Sequence, residues 1–200
     1  DDHGTRLTTA EANITAQAEA IALKAERSEV YTKTETDEKI DGIEIGGRNL
    51  LLNSSVEKTG TAYSLASYFW ANVDEMIPGD IYTVTVEGEL SEGQTGWYLN
   101  VYTANPVSYP AIATLLDANK VSDTKWVRTF KMPNLAAGQQ FTGQTTLYSY
   151  PVGNGLPATV KRIKIEKGNK ATDWTPAPED VDAEINTVKT DVATLTTNYD

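Results

Sequence analysis

Residues 80–90 read DIYTVTVEGEL, in which Tyr82, Val84 and Val86 alternate with Ile81, Thr83, Thr85 and Glu87. A period of two in β-branched and aromatic residues predicts a strand with one inward face. Working outward, similar runs occupy residues 96–103, 125–132, 144–150 and 158–166. Between them lie Pro78-Gly79, Glu92-Gly93, Asn105-Pro106, Ala137-Gly138 and Gly153-Asn154-Gly155, which are turn signals. Short alternating runs punctuated in this way predict an all-β sandwich or barrel, whose strand order the runs alone do not fix.

The β pattern fills the middle of the chain, and the ends are different. Residues 46–178 hold 11 Lys and Arg against 11 Asp and Glu, residues 1–45 hold 5 against 11, and residues 179–200 hold 1 against 6. The formal charge of -11 therefore sits in the flanks. In the last segment Val181, Ile185, Val188, Val192, Leu195 and Tyr199 recur at the four-three spacing of a coiled-coil seam. Pro176 and Pro178 precede it and Glu179 and Asp180 follow, as suits a helix N-terminus. In the first segment Leu7, Ile14 and Ile21 repeat every seven residues, with Ala10, Gln17 and Lys24 between; the frame then shifts to Leu23 and Val30, predicting an interruption before residue 31. Thr8 with Glu11 and Thr34 with Asp37 fit capping boxes, the second opening a short helix through about Ile40. The expected organisation is a helical stalk with a short linker helix over 1–45, a β domain over 46–178 and a coiled-coil helix over 179–200. Helices this short need association between chains to be stable in water.

Composition closes several routes. With no cysteine and one histidine, His3, the chain cannot build a thiol nucleophile, a Ser-His pair or a multi-His zinc site from its own residues. Its acidity disfavours nucleic acid, since phosphate binding depends on Lys and Arg. No apolar run approaches a membrane span, and the opening DDHGTRL lacks the regions of a signal peptide, so the chain reads as an interior segment of something longer.

Three strings carry a resemblance: YTKTETDEKIDG at 31–42, GGRNLLLNS at 46–54 and KIEKGNKATDWTPAPED at 164–180. Together they resemble the carbohydrate-binding modules inserted in tail-fibre and tail-tip proteins of bacteriophages of Gram-positive bacteria. The resemblance spans Tyr31 to Asp180 and is specific at both ends of the β domain but not in its interior. It implies a jelly-roll β-sandwich, a homotrimeric setting beside other tail proteins of the virion, and adhesion to a host cell-surface polysaccharide. β-branched residues along the C-terminal seam agree with an oligomer above two chains.

Sugars are held by aromatic faces stacking on the ring and by polar groups taking the hydroxyls. If Leu99 and Leu147 point inward, alternation sends Tyr98, Asn100 and Tyr102, and likewise Thr146, Tyr148 and Tyr150, to the outer face. Tyr98, Asn100, Tyr102, Tyr148 and Tyr150 are the candidate saccharide-binding residues, provided their strands are neighbours; otherwise these rings cover edges and loops. Trp126 and Trp174 are expected as core plugs, Trp97 leans inward with Leu99, and Trp70 is open between core and a loop-end pocket. Paired carboxylates are the one enzymatic chemistry left open: Glu87 and Glu89 stand two apart on one strand, within the range of glycosidase pairs, but adjacent strand glutamates are usually a solvated face. No cofactor is expected; a structural calcium ion in the loops is compatible with carboxylate and carbonyl chemistry, with no ligands assigned. Three functions follow in order: a non-enzymatic saccharide-binding module of a phage tail, a ligand-free structural spacer, and a glycan-degrading enzyme.

Overall fold

The computed structural model describes residues 2–22, 31–61 and 65–199, and falls into two units that divide between Ile43 and Glu44. In the first unit, α1 spans Asp2–Ala22 and leaves Leu7, Ile14 and Ile21 about two-thirds exposed. Thr8 is not its cap. It lies inside the helix with its hydroxyl donating to the Gly4 carbonyl, because the helix begins at Asp2, about two turns earlier than the Thr8–Glu11 pair implied. The frame shift read at Leu23 and Val30, and Lys24 with it, fall outside the described residues. α2 spans Lys33–Asp41, and its capping box is Thr32 with Glu35 rather than Thr34 with Asp37. Thr32 Oγ1 accepts from the Glu35 amide at 3.2 Å while Glu35 Oε2 accepts from the Thr32 amide at 2.7 Å. Asp37 instead pairs with Lys33 one turn away.

The second unit is a sandwich of two antiparallel sheets followed by a helix. Its strands are β1 (Lys58–Gly60), β2 (Ala66–Phe69), β3 (Ile81–Leu90), β4 (Gly96–Ala104), β5 (Ala111–Leu115), β6 (Lys120–Ser122), β7 (Lys125–Lys131), β8 (Gln140–Tyr150) and β9 (Ala158–Lys167). One sheet has the order β1-β9-β3-β7-β6 and the other β2-β8-β4-β5. The five runs read from the sequence are β3, β4, β7, β8 and β9. The inner faces behave as period two requires: Tyr82, Val84 and Val86 of β3 meet Ile163 and Ile165 of β9, and oppose Trp97, Leu99, Val101 and Leu147 of the other sheet. Trp97 and Trp126 pack edge to face at 5.8 Å, and Trp70 stands edge-on to Tyr82 at 5.5 Å. Trp70 is thus a core residue, 5 % exposed, its indole N–H donating to Thr145 Oγ1 at 2.9 Å.

Trp174 departs from the core role expected of it. It is half-buried beside β9, donating from Nε1 to the Ile163 carbonyl at 3.1 Å, with the Arg162 guanidinium over its ring. The segments at both ends of the sandwich fold over the outer face of the five-stranded sheet, which explains why Thr83, Thr85, Lys164 and Glu166 are buried there too. Lys164 Nζ donates to the Gly47 carbonyl (2.8 Å), Thr172 Oγ1 (2.6 Å) and the Asp173 carbonyl (2.8 Å), using all three ammonium hydrogens. Glu166, its carboxylate 3.5 Å from that ammonium, accepts from the Gly47 and Thr172 amides and from the Thr172 hydroxyl. Asn49 bonds Ser54, the Thr175 carbonyl and the Leu51 amide. Glycine is required at Gly46, where a Cβ would lie 2.1 Å from the Lys167 carbonyl oxygen, and favoured at Gly47, with φ +76. The strings 46–54 and 164–180 are therefore one clasp that joins the start and end of the sandwich.

From this clasp rises α3 (Pro178–Tyr199), with proline at its first position and Glu179 and Asp180 in its first turn. Arg48 pairs with Glu75 at 2.6 Å and with Glu179, and Asp180 accepts from the Asn53 amide at 2.8 Å. Along α3, Val181, Ile185, Val188, Val192 and Leu195 are 37 to 60 % exposed, forming an uncovered apolar stripe on the single chain.

Candidate functional site

β4 and β8 are neighbours, and their register is Leu99 opposite Leu147, both fully buried. That pairing sets Tyr98 opposite Tyr148, Asn100 opposite Thr146 and Tyr150 opposite Gly96 on the outer face of the four-stranded sheet. The rings of Tyr98 and Tyr148 meet edge to face at 5.7 Å, and Asn100 Nδ2 donates to Tyr148 Oη at 3.4 Å. Tyr102, displaced by a register shift after Val101, turns its ring onto Tyr109 at 4.6 Å. All four candidate tyrosines are half-buried. Asn100 is 5 % exposed, and its Oδ1 is buried with no partner among the described residues.

Burial pushes the Tyr148 phenol above its ordinary value; the Asn100 hydrogen bond opposes this, and the Tyr102 and Tyr98 phenols add to it. The hydroxyl therefore is a neutral donor and acceptor at neutral pH. Polar groups continue across the sheet: Ser67 Oγ lies 3.4 Å from Thr146 Oγ1, and Gln144 Nε2 donates to Ser67 Oγ at 3.3 Å. Sequence reasoning missed two aromatics that extend the surface. Phe69, opposite Gln144 on β2, is 54 % exposed, and Tyr109, in the β4–β5 connection, is 55 % exposed. Phe69 sits on a four-residue strand too short to show a period, and Tyr109 sits in a loop, where no period reports direction. The aromatic level of Tyr98 and Tyr148 and that of Gln144 and Phe69 are four residues of strand apart, about 13 Å, with Asn100, Thr146 and Ser67 between them. Such a surface can stack an extended ligand at two levels, with Ser67 accessible between them and Asn100 and Thr146 buried beneath.

Concave sites lie elsewhere. A cavity of about 220 Å³ between the clasp and residues 74–77 is bordered by Arg48, Glu75, Tyr82 and Lys167. Its cations are committed, Arg48 to Glu75 and Glu179 and Lys167 to Asp80, and it is smaller than the roughly 300 Å³ of ordinary ligand pockets. A groove of about 480 Å³ runs between residues 73–78 and 135–141. Its Gln139 side chain is spent on Thr103, Pro106, Ser108 and Ala136. Glu87 pairs with Arg162 at 2.6 Å and with Lys125 at 3.7 Å, and Glu89 pairs with Lys161, so both carboxylates are cross-strand ion-pair partners. Among the described residues no three metal-ligating side chains gather, and no helix is long and apolar enough to cross a membrane.

No family model matches the chain, and no curated protein matches it in sequence. Among solved structures it is similar to the tripod from the baseplate of bacteriophage Tuc2009, with 17% identity over 69% of this chain and 61% of that chain and a TM-score of 0.37. It is also similar to the CBM22-1–GH10 modules of a Clostridium thermocellum xylanase complexed with xylohexaose, with 11% identity over 62% of this chain and 22% of that chain and a TM-score of 0.35. A third likeness is to the xylan-binding CBM22-1 domain from Paenibacillus barcinonensis, with 13% identity over 57% of this chain and 72% of that chain and a TM-score of 0.36. The chain spans less than two thirds of the first two of these. At such scores the functional reading rests on the chain's own residues.

Proposed function

We propose that residues 46–178 form a jelly-roll saccharide-binding module of a phage tail-fibre or tail-tip protein. Its outer four-stranded face attaches the virion to a host cell-surface polysaccharide without catalysis. The observation that carries this reading is the register of β4 and β8, which gathers Tyr98, Asn100, Tyr102, Tyr148 and Tyr150 on one outer face. Four half-buried tyrosine rings around a buried amide are a suitable surface for pyranose rings. The ion-paired state of Glu87 and Glu89 supports binding rather than hydrolysis.

In the same proposal residues 1–45 and 179–200 make the stalk of a homotrimer, with the stripe from Val181 to Leu195 as a coiled-coil seam, set among other tail proteins. Three weak sites on one rod gain avidity through effective concentration. The test is a glycan array followed by host-cell binding, comparing wild type with Tyr98→Ala/Tyr148→Ala. Each ring is expected to contribute about 1–3 kcal/mol, the scale of aromatic stacking on a planar ligand, so the double variant should lose binding while keeping its circular dichroism spectrum. Undiminished binding by a folded double variant refutes the site.

A further inference from the structure

The two sheets differ sharply in charge. β2, β4, β5 and β8 contain no Asp, Glu, Lys or Arg, whereas β3, β7 and β9 of the opposite sheet carry Glu87, Glu89, Lys125, Arg128, Lys161 and Arg162 among others. The absence extends into the connections: residues 59–73, 93–116 and 132–160 hold no charged side chain, in a chain of formal charge -11. Among the described residues two cations reach the four-stranded sheet, one at each edge strand. Lys58 donates to the Ser67 carbonyl of β2 at 3.2 Å, and Arg128 donates to the Thr114 carbonyl of β5. Both cap edge carbonyls instead of presenting charge on the face.

Resting on the saccharide reading of this face, we infer that its ligand is an uncharged glycan, and that phosphate- or carboxylate-bearing wall polymers are excluded from it. Anions are recognised by guanidinium or ammonium groups, by a metal ion, or by converging unpaired backbone N–H groups, and the amides of a central strand are spent on the sheet. Among the described residues the face offers the hydroxyl of Ser67, the amide of Gln144 and the tyrosine phenols, over the buried Asn100 and Thr146. An anion pressed onto it would lose hydration without a counter-charge and would meet the negative π faces of the tyrosines. A neutral sugar meets none of these penalties, and its hydroxyls match the neutral donors and acceptors. Asn100, buried beneath the Tyr98–Tyr148 pair, donates to Tyr148 Oη and so orients one of these phenols as a neutral acceptor and donor.

The experiment uses the full chain on an array of neutral, uronate-, sialate- and phosphate-bearing glycans, followed by titration of each hit between about 20 and about 500 mM NaCl, a range over which screening of exposed charges changes severalfold. The expected result is binding confined to neutral glycans, with an affinity that changes less than about twofold across the range and is lost in Tyr98→Ala/Tyr148→Ala. Binding of acidic glycans that weakens tenfold or more with salt and is lost in the same variant overturns the inference while leaving the saccharide reading intact. Absence of any glycan binding, or binding unchanged in the folded double variant, overturns the saccharide reading and the inference with it. Sedimentation of both proteins covers the remaining occupant: a smaller oligomer in the double variant assigns the face to contact between copies of this chain and also overturns the inference.

Discussion

Lys164→Met is the sharpest test of how the sandwich is closed. Lys164 and Glu166 side chains are each 1 % exposed, and the ammonium has no donor left over after Gly47, Thr172 and Asp173. Methionine fills a similar volume but leaves the Gly47 and Asp173 carbonyls without their donor and strands the Glu166 carboxylate in the interior. Removing one member of a buried pair costs about 3–5 kcal/mol, a large share of the roughly 5–15 kcal/mol that holds a domain together. For a domain of this size that is a fall in Tm on the order of 10 °C. Urea unfolding followed by circular dichroism, at one fixed chain concentration, reads the change directly. Adding Glu166→Leu removes the stranded charge, so the double variant should be more stable than the sum of the two single losses, by about 0.5–3 kcal/mol of coupling. A single variant within about 1 kcal/mol of wild type, or strictly additive losses, would refute the clasp as an energetic unit.

Two further outcomes follow from the structure. Val188→Asp/Val192→Asp places charge in the exposed stripe of α3, so sedimentation should show monomers with an intact β spectrum, and the wild-type assembly should tighten modestly with salt as its acidic flanks are screened; an unchanged oligomer refutes the seam. Tyr68, 2 % exposed with Oη unpartnered among the described residues, is pushed up by burial, and Tyr82 and Tyr148 are raised with it. Their stabilising contribution is complete below the unfolded tyrosine value of about 10 and is lost as pH rises toward the folded values, because the unfolded chain releases those protons first. Tyr68→Phe should then match or exceed wild type by up to about 1 kcal/mol at pH 7 and lose stability less steeply above pH 10; an identical alkaline slope in denaturant unfolding counts against it.

The strands legible in the sequence were the long ones with a buried face, because burial on one side of a strand imposes period two over seven or more residues. β1, β2, β5 and β6 are three to five residues long, too short for a period to separate from chance. The outward direction of Tyr98, Asn100 and Tyr148 follows from alternation with Leu99 and Leu147, but that they share one face depends on β4 pairing with β8, a contact between segments 48 residues apart at Asn100 and Tyr148 that no local pattern encodes. The clasp is the converse case. KRIKIEK at 161–167 reads as a strand with a solvated charged face, and it is buried because Gly47, 117 residues from Lys164, and Thr172 and Asp173 close over it. The strings most specific in the sequence thus hold the sandwich shut, and the proposed ligand is left to an interior whose most telling property, the lack of charge along 59–73, 93–116 and 132–160, has no meaning until the topology folds most of those three stretches into the four-stranded sheet and its loops.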